Sequence, residues 1–469
     1  MKTNLTVHWT MKSPPTSARS WHSWANSETF SNWGLSSENN EIFFDPNTRS
    51  ILEQALKQKL DRFTGWDLGK TLEEDNFNKA ASVYKRGVPF KSKEKECKVS
   101  SLSGSYPILL SSAHTPPSEA MKELYKEDQA FIVMDKNITT HWDLKPLEAD
   151  FLFEANEKNK SVDTVEAICQ TAKKAGDHKH WLIIGGGITA DSAAFAASIM
   201  NKSFTLVPTT LLAMADACVG GKTGVNAHPF GKNLIGAFAF PSKVIVVPQF
   251  LSSLDTRVLR SGGAECLKHA FLAGNKEKAN KISQALKHDK LTDLSEELEF
   301  VIELKAKIVA EDPTEQGKRS ILNLGHTLAH ALEAISHKNQ SPEQQIQHGE
   351  AVSVGLIFCF LISKHIIPES GTSIDEMIAC IVNANQLPSR NQLETHLGTS
   401  LDKEDLWKQV RSYLLNDKKN SDNDQDACNW VLLKDWGEIY CQNPEEFSVR
   451  LTLSEVKKVW DKFIVKYPL

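Results

Sequence analysis

Between residues 106 and 248, short apolar runs alternate with stretches of helical spacing, and no other feature constrains the fold so tightly. "YPILL" (106–110) and "AFIVMD" (130–135) read as buried strands, with a helical segment around "SEAMKELYKE" between them. "SVDTVEAICQTAKKAG" (161–176) has helical spacing and stops at Gly176. "HWLIIGGG" (180–187), "SFTLVPTT" (203–210) and "KVIVVP" (243–248) follow as strands. Strands that alternate with helices pair in parallel, which predicts an α/β sheet. Beyond about residue 250 the strand signals fade, and from "LDTRVLRSGGAECLKHAFLAG" (254–274) helical periodicity dominates to near residue 415. The expected organisation is an α/β domain over 101–250 and a mainly α-helical domain over 251–469, with the cleft between them as the default ligand site. Residues 1–100 form an irregular, poorly assignable extension, and the basic, then Ser/Gly-rich stretch 85–105 reads as a linker.

Charge and cysteine usage narrow the partners. A net charge of −5 gives no general electrostatic reason to expect nucleic acid or an anionic membrane. Eight cysteines lie scattered with no C-x-x-C pair, which favours reduced thiols in a cytoplasmic compartment. No uninterrupted apolar stretch approaches the roughly 20 residues needed to span a bilayer. Residues 1–27 lack Asp and Glu, faintly like an organellar transit peptide, but Arg is scarce and Trp9, Trp21, Trp24 and Trp33 are unusual in one. A loosely folded extension or a partner-binding arm is the preferred reading.

"LIIGGGITAD" places Gly185, Gly186 and Gly187 between a strand and the helical run "SAAFAASIM". Gly185, Gly187 and Ala190 satisfy G-x-G-x-x-[GA], a turn that lets a pyrophosphate approach the backbone and free helix N–H groups. The acidic residue expected about 20 positions later is absent, so a plain strand-to-helix turn competes with that reading. "ADACVGGKTGVNAHPFGKN" (215–233) hints at a P-loop, but Asp216 stands where its first glycine belongs. What remains is a glycine-rich loop bearing Lys222, Lys232 and Asn233, suited to a phosphorylated polar ligand or simply solvated. In "LNLGHTLAHALEA" (322–334), His326 and His330 share a helical face, yet Thr327 occupies the position of a metalloprotease base. Candidate metal donors are His326, His330, Glu333, His337, His348 and Glu350, with Glu265 and His269 upstream, and spacing alone does not choose among them.

Taken together, "GGGITAD", "VPTTLLAMADACVGGKTGVN", "GKNLIGAF", "AECLKHAF", "RSILNLGHTLAHALEAI" and "HGEAVSVG" strongly resemble the 3-dehydroquinate synthase and wider sugar-phosphate cyclase family. Weaker similarity runs back to about residue 105 and forward to "NDKKN" (416–420). The resemblance implies an NAD-binding α/β domain followed by a helical metal- and substrate-binding domain. It implies zinc or cobalt on Glu265, His326 and His348, with His330 left for the substrate's phosphate. Lys268 and Asp216 would stand around the reacting ring. Lys222, Asn233, Asn323 and His330, with Lys418 or Lys419, would hold phosphate, and Lys305 and Arg319 a carboxylate. NAD would meet Asp135, Glu157 and Lys160, then Gly186, Gly187 and Asp191, then Thr209, Thr210, Leu212 and Lys232. Asp135 and Glu157 would replace the missing ribose acid.

The implied reaction is the NAD- and metal-dependent cyclisation of 3-deoxy-D-arabino-heptulosonate 7-phosphate to 3-dehydroquinate with loss of phosphate, a lyase step of the shikimate pathway. Net redox is zero, and the family's usual assembly is a homodimer. Leu322, Asn323 and His330 follow the dehydroquinate synthase pattern rather than that of valiolone-forming cyclases. Three departures stand against a plain match. The family's Arg-Gly pair after the glycine-turn helix is missing, where "IMNKSF" offers Lys202; one extra residue sits in "NAHPFGKN"; and Ala190 and Ala194 replace usual glycines. These departures favour a sibling cyclase acting on another sugar phosphate, such as sedoheptulose 7-phosphate, as the runner-up. A polyol dehydrogenase and a non-catalytic NAD-binding homologue follow behind it.

Overall fold

The structure is a computed structural model. It describes residues 95–467, apart from 102–103, 113–114, 122–129, 145–147, 177, 228–230, 290, 314, 403, 416–425, 442 and 444–445, together with three short strands nearer the N-terminus. Those three, β1 (Thr6–His8), β2 (Leu35–Glu38) and β3 (Glu41–Phe44), pair antiparallel in the order β1-β3-β2, within a unit that clusters separately. The transit-peptide and Trp-rich readings, and the linker over 85–94, fall outside the described residues.

The larger unit is built on a seven-stranded sheet. Its strands are β4 (Lys95–Ser101), β5 (Gly104–Leu110), β6 (Phe131–Asp135), β7 (Phe151–Phe153), β8 (His180–Gly185), β9 (Ser203–Pro208) and β12 (Lys243–Val246). Between β9 and β12 the chain makes a separate antiparallel hairpin, β10 (Lys222–Ala227) and β11 (Gly231–Phe238). The sheet order is β4-β5-β12-β9-β8-β6-β7, parallel throughout except that β4 is antiparallel to β5. The linker reading therefore fails over 95–105: Lys95 to Ser101 pair with Leu110 to Gly104 in unbroken register. "KECKVSS" hides its strand because an edge strand tolerates charge, which also protects the edge from foreign pairing.

From β6 the chain moves outward to β7, whereas from β8 it moves the other way, to β9 and β12. The reversal leaves a crevice at the C-terminal ends of β6 and β8, the usual ligand position in an open α/β sheet. Asp135 ends β6, Gly185 ends β8, and Gly185 pairs with Pro208 at the end of β9. Covering helices include α1 (Lys136–His141), α2 (Val162–Ala175) and α3 (Gly187–Ile199). Ser161 caps α2 by accepting from the Thr164 N–H, and α2 stops at Gly176, whose φ of 126° suits glycine. α3 buries Ala190, Ala193, Ala194, Ala196 and Ala197; small side chains let it lie close to the sheet.

The helical part comprises α4 (Thr256–Leu272), α5 (Lys276–Lys287), α6 (Leu291–Glu311), α7 (His326–Asn339), α8 (His348–Ile366), α9 (Gly371–Asn383), α10 (Arg390–Leu397), α11 (Glu404–Leu415) and α12 (Leu453–Lys466). Short strands β13 (Ala427–Trp430), β14 (Leu432–Asp435), β15 (Glu438–Tyr440) and β16 (Val449–Thr452), which the periodicity did not reveal, form two small antiparallel pairs. α8 is apolar nearly all round. By length and composition it could cross a membrane, but 72% of that stretch is buried, as expected of a core helix. Its Phe358 packs against Trp430, Trp460 and Phe463, with ring centroids 5.4–5.9 Å apart. Aromatic packing of this kind adds about 0.5–1.5 kcal/mol per pair beyond area burial.

Candidate active site

Three helices meet at Glu265, His326 and His348. Glu265 lies on α4 and is fully buried, while the two histidines are the first residues of α7 and α8. Glycines set these approaches. Gly325 enters α7 with φ of 81°, and a Cβ on Gly349 would lie 1.7 Å from the Ser261 carbonyl oxygen of α4. α4 then grips the start of α8 along one face. Arg257 makes a two-point pair with Glu350 (2.7 and 2.8 Å), Ser261 Oγ accepts the Gly349 N–H (2.9 Å), and Glu265 faces His348.

His326 Nε2 lies 3.4 Å and His348 Nε2 3.5 Å from the same Glu265 oxygen. One donor atom from each of the three residues falls within 4.8 Å of the others. The remaining ring nitrogens are held by oxygens: His326 Nδ1 by the Leu324 carbonyl (3.2 Å) and His348 Nδ1 by Glu333 (3.5 Å). Metal-binding histidines are oriented in this way. Neither Glu265 oxygen has a well-directed hydrogen bond, although Lys268 forms an ion pair with it. Burial alone would raise the Glu265 carboxyl, but Lys268, His326 and His348 hold it well below the carboxylate range. Burial, then Lys268, pushes His326 well down, leaving a neutral ring with a lone pair. His348 goes the other way, to about 10, because Glu333 and Glu265 outweigh burial. A divalent cation would displace that proton, so the donor set fits one. A second grouping, Asp216, Glu265 and His269, is equally close-set, but Lys305 Nζ already sits 2.6 Å from Asp216. His269 is buried with neither ring nitrogen hydrogen-bonded, and burial pushes it down to about 3.

Beside the triad lies a group of cations. Lys268 donates to the Leu322 carbonyl (2.7 Å). Asp216, on the π-helical turn Ala213–Ala217, pairs with buried Lys305. Burial would raise Asp216, but Lys305 outweighs it and holds the carboxyl low, while burial aided by Arg319 and Lys268 lowers Lys305. Buried Arg319 donates to the Pro313 carbonyl (2.6 Å) and forms no salt bridge with a carboxylate among the described residues. Glu315 was not singled out in the sequence; it pairs with Lys222 and accepts from Asn323 Nδ2 (2.9 Å). Its φ of 59°, rare for a non-glycine, offered no sequence signal. His330 stands one turn beyond His326, exposed and outside the triad, with ring centroids 5.5 Å apart.

The expected dinucleotide residues gather at the sheet's crevice. Asp135 accepts the Asn137 N–H at the start of α1, and burial raises its carboxyl. Gly186 begins α3 without a side-chain cap, and a Cβ there would lie 3.0 Å from Thr210. Thr209 donates its N–H to the Gly185 carbonyl, and Leu212 N lies where a Cβ on Gly262 would collide. Gly187 likewise leaves space only up to Ala217, 3.4 Å from a built Cβ. This cradle fits a dinucleotide's backbone-bound phosphates. Lys160 bridges Asp191 and Asn233, each at 2.6 Å. Asn233, expected on the phosphate side, accepts from Lys160, which was expected at the dinucleotide. Burial raises Asp191 despite Lys160. Lys232 pairs with Glu157 (3.1 Å) and Glu333 (3.2 Å), and these acids raise it against burial. Lys202 precedes β9 at the N-terminal end of the strands, six residues from Pro208 at their C-terminal end. That is about 20 Å along the strand, at the end of the sheet away from the glycine turn. Lys418 and Lys419 lie outside the described residues.

Comparison with known proteins joins these pieces. Residues 150–261 match the 3-dehydroquinate synthase N-terminal family model, and residues 262–420 match the 3-dehydroquinate synthase C-terminal model. The chain belongs to the 3-dehydroquinate synthase family. It is thus an enzyme of a class of phosphate-eliminating cyclases, which are lyases. It is 35% identical over 290 residues to the 3-dehydroquinate synthase of Methylacidiphilum infernorum, covering 60% of this chain and 73% of that one. It is 34% identical over 380 residues to that of Staphylococcus epidermidis, covering 73% and 93%. The same fold occurs in a 2-deoxy-scyllo-inosose synthase solved with carbaglucose-6-phosphate, NAD+ and Co2+ (TM-score 0.61, 21% identity, 78% of this chain and 99% of that). It occurs too in a 2-epi-5-epi-valiolone synthase from Streptomyces hygroscopicus with NAD+ and Zn2+ (0.60, 20%, 81% and 99%). Within the family, two acids of this site escaped sequence reasoning: Glu315, and Glu333 as an orienting partner rather than a ligand.

Proposed function

We propose that the chain is a 3-dehydroquinate synthase, converting 3-deoxy-D-arabino-heptulosonate 7-phosphate to 3-dehydroquinate with release of phosphate. The observation that carries this reading is buried Arg319 beside Lys305. Lys305 is already ion-paired with Asp216, whereas the buried Arg319 guanidinium has no salt bridge to a carboxylate among the described residues, which supports its use for a substrate carboxylate. A heptulose phosphate lacks that carboxylate, and an unmatched buried charge disfavours its binding. The guanidinium fork suits two-point carboxylate recognition.

Lys222, Asn323 and His330 form the phosphate side of the site. Glu315, now paired with Lys222 and bonded to Asn323, must yield to an incoming dianion. Glu265, His326 and His348 would hold zinc or cobalt, a choice that suits a two-His, one-carboxylate set. Asp135, Glu157, Lys160, Asp191 and the Gly186–Gly187 turn, with Thr209, Thr210, Leu212 and Lys232, would bind NAD. When bound, the cation supplies Lewis acidity at a substrate hydroxyl and NAD reversible hydride acceptance. Lys268 holds Glu265 in place between the triad and the Leu322 carbonyl. A homodimer, expected from the family, is tested by light scattering.

The test is inorganic phosphate release by zinc-loaded protein with NAD, from the sugar acid phosphate and from sedoheptulose 7-phosphate, with His326→Ala as blank. Release from the sugar acid alone, with 3-dehydroquinate as product, is the expected result. Release from sedoheptulose 7-phosphate alone would assign the chain to a sibling cyclase, the reading that the missing Arg and the extra residue in "NAHPFGKN" favour.

A further inference from the structure

The two metal-facing histidines are oriented differently. His326 Nδ1 rests on a backbone carbonyl, whereas His348 Nδ1 rests on a side chain, Glu333 Oε1, at 3.5 Å. Glu333 is 5% exposed and lies on α7, two turns from His326 on the same face. The same Oε1 accepts from Lys232 Nζ at 3.2 Å, and Lys232 reaches Glu157 Oε1 at 3.1 Å. The result is an unbroken row of alternating charge: Glu157, Lys232, Glu333, His348, Glu265. One end lies in the proposed dinucleotide wall and the other in the cation site.

We propose that Glu333 is a positioning residue that holds His348 with Nε2 turned to the cation and, through Lys232, couples cation binding to dinucleotide binding. This rests on the assignment of Glu265, His326 and His348 to a divalent cation. A His ligand needs its metal-facing nitrogen free of a proton, and an acceptor at the other nitrogen secures that tautomer. Glu333 is the acceptor here. Lys232 competes for the same oxygen. A dinucleotide that draws Lys232 toward its own oxygens leaves Glu333 more fully to His348, so NAD tightens the cation. By reciprocity the cation tightens NAD by the same factor. A purely structural role, with Glu333 merely tying α7 to β11, predicts lost stability without either effect.

The experiment is a chelator-competition titration of Co2+ into metal-free full-length protein, read by the visible absorption of the bound ion, with and without NAD. It is run on wild type, Glu333→Gln, Glu333→Asp and Lys232→Met, each first shown to be folded by its melting curve. The expected result is a 10- to 100-fold loss of Co2+ affinity in E333Q, partial recovery in E333D, and tighter Co2+ binding with NAD in wild type alone. In K232M, affinity no longer responds to NAD. Unchanged Co2+ affinity in E333Q overturns the proposal and leaves the cyclase reading intact. An NAD effect that survives in K232M overturns the coupling. A wild type that binds no Co2+ overturns the proposal and the cation site together.

Discussion

Gly349→Ala tests how the metal-facing residues are held. A Cβ at 349 would stand 1.7 Å from the Ser261 carbonyl oxygen and 2.4 and 2.5 Å from its carbonyl carbon and Cα. These are backbone atoms of α4, so no rotamer change relieves the clash. A carbon and a carbonyl oxygen pack no closer than about 3.3 Å, so the start of α8 must retreat from α4 by about 1.6 Å. Overpacking of this size costs about 1–3 kcal/mol. The retreat also pulls His348 from Glu265 and loosens the Gly349 N–H to Ser261 bond. A misplacement near 1 Å costs about 100-fold in rate. The same change at Gly371 is the control: its φ is −51° and a Cβ there meets nothing within 4 Å. Gly371→Ala should stabilise by about 0.4–1 kcal/mol, by restricting the unfolded chain. Urea titration gives both stabilities, and Co2+ absorption reports the site directly. A Gly349→Ala protein that unfolds with wild type and binds Co2+ alike would refute the packing argument.

Arg319→Lys should raise KM for the sugar acid phosphate at least about 10-fold, because a lysine loses two-point carboxylate recognition; steady-state phosphate release measures it, and an unchanged KM removes Arg319 from the carboxylate site. Saturating the chelated protein with Zn2+ at about 100 times its Kd should add about 2.7 kcal/mol of stability, read as a rise in melting temperature that His326→Ala lacks. Burial alone would raise Glu157, but Lys232 and Lys160 hold it below 4.5, so its contribution is complete above pH 4.5 and is lost as pH falls through the lowered value. Glu157→Gln should therefore be less stable than wild type at neutral pH and converge with it in acid; parallel stability curves down to pH 3 would contradict this.

The parallel sheet was legible because buried strands such as β8 and β9 are continuous apolar runs, and α2 because its cap and stop are local. β4 was not, since an edge strand can be polar, and the β10–β11 hairpin read only as a glycine-rich loop. At the site, spacing left eight metal donors open, and the family motifs singled out the three that the fold brings together. Side-chain pairs across elements were not legible: His348 of α8 meets Glu333 of α7, Glu350 pairs with Arg257 93 positions away, and Lys222 with Glu315. One sequence records which residues are present, but not which distant ones share a hydrogen bond. The Lys160–Asn233 bond is another such pairing, 73 positions apart in the chain.

His326 and His348 both open helices, so the positive ends of α7 and α8 point into the same small volume. Each end is worth about half a unit charge, and with buried Lys268 already ion-paired to Glu265 they leave no excess negative charge there. A divalent ion entering there meets little net attraction and is retained chiefly by donation from two nitrogens and one oxygen. Donation of that kind ranks first-row ions in a fixed series and scarcely tells cobalt from zinc. The ion carried by the purified protein should then follow the growth medium, making metal identity a property of supply rather than of the chain.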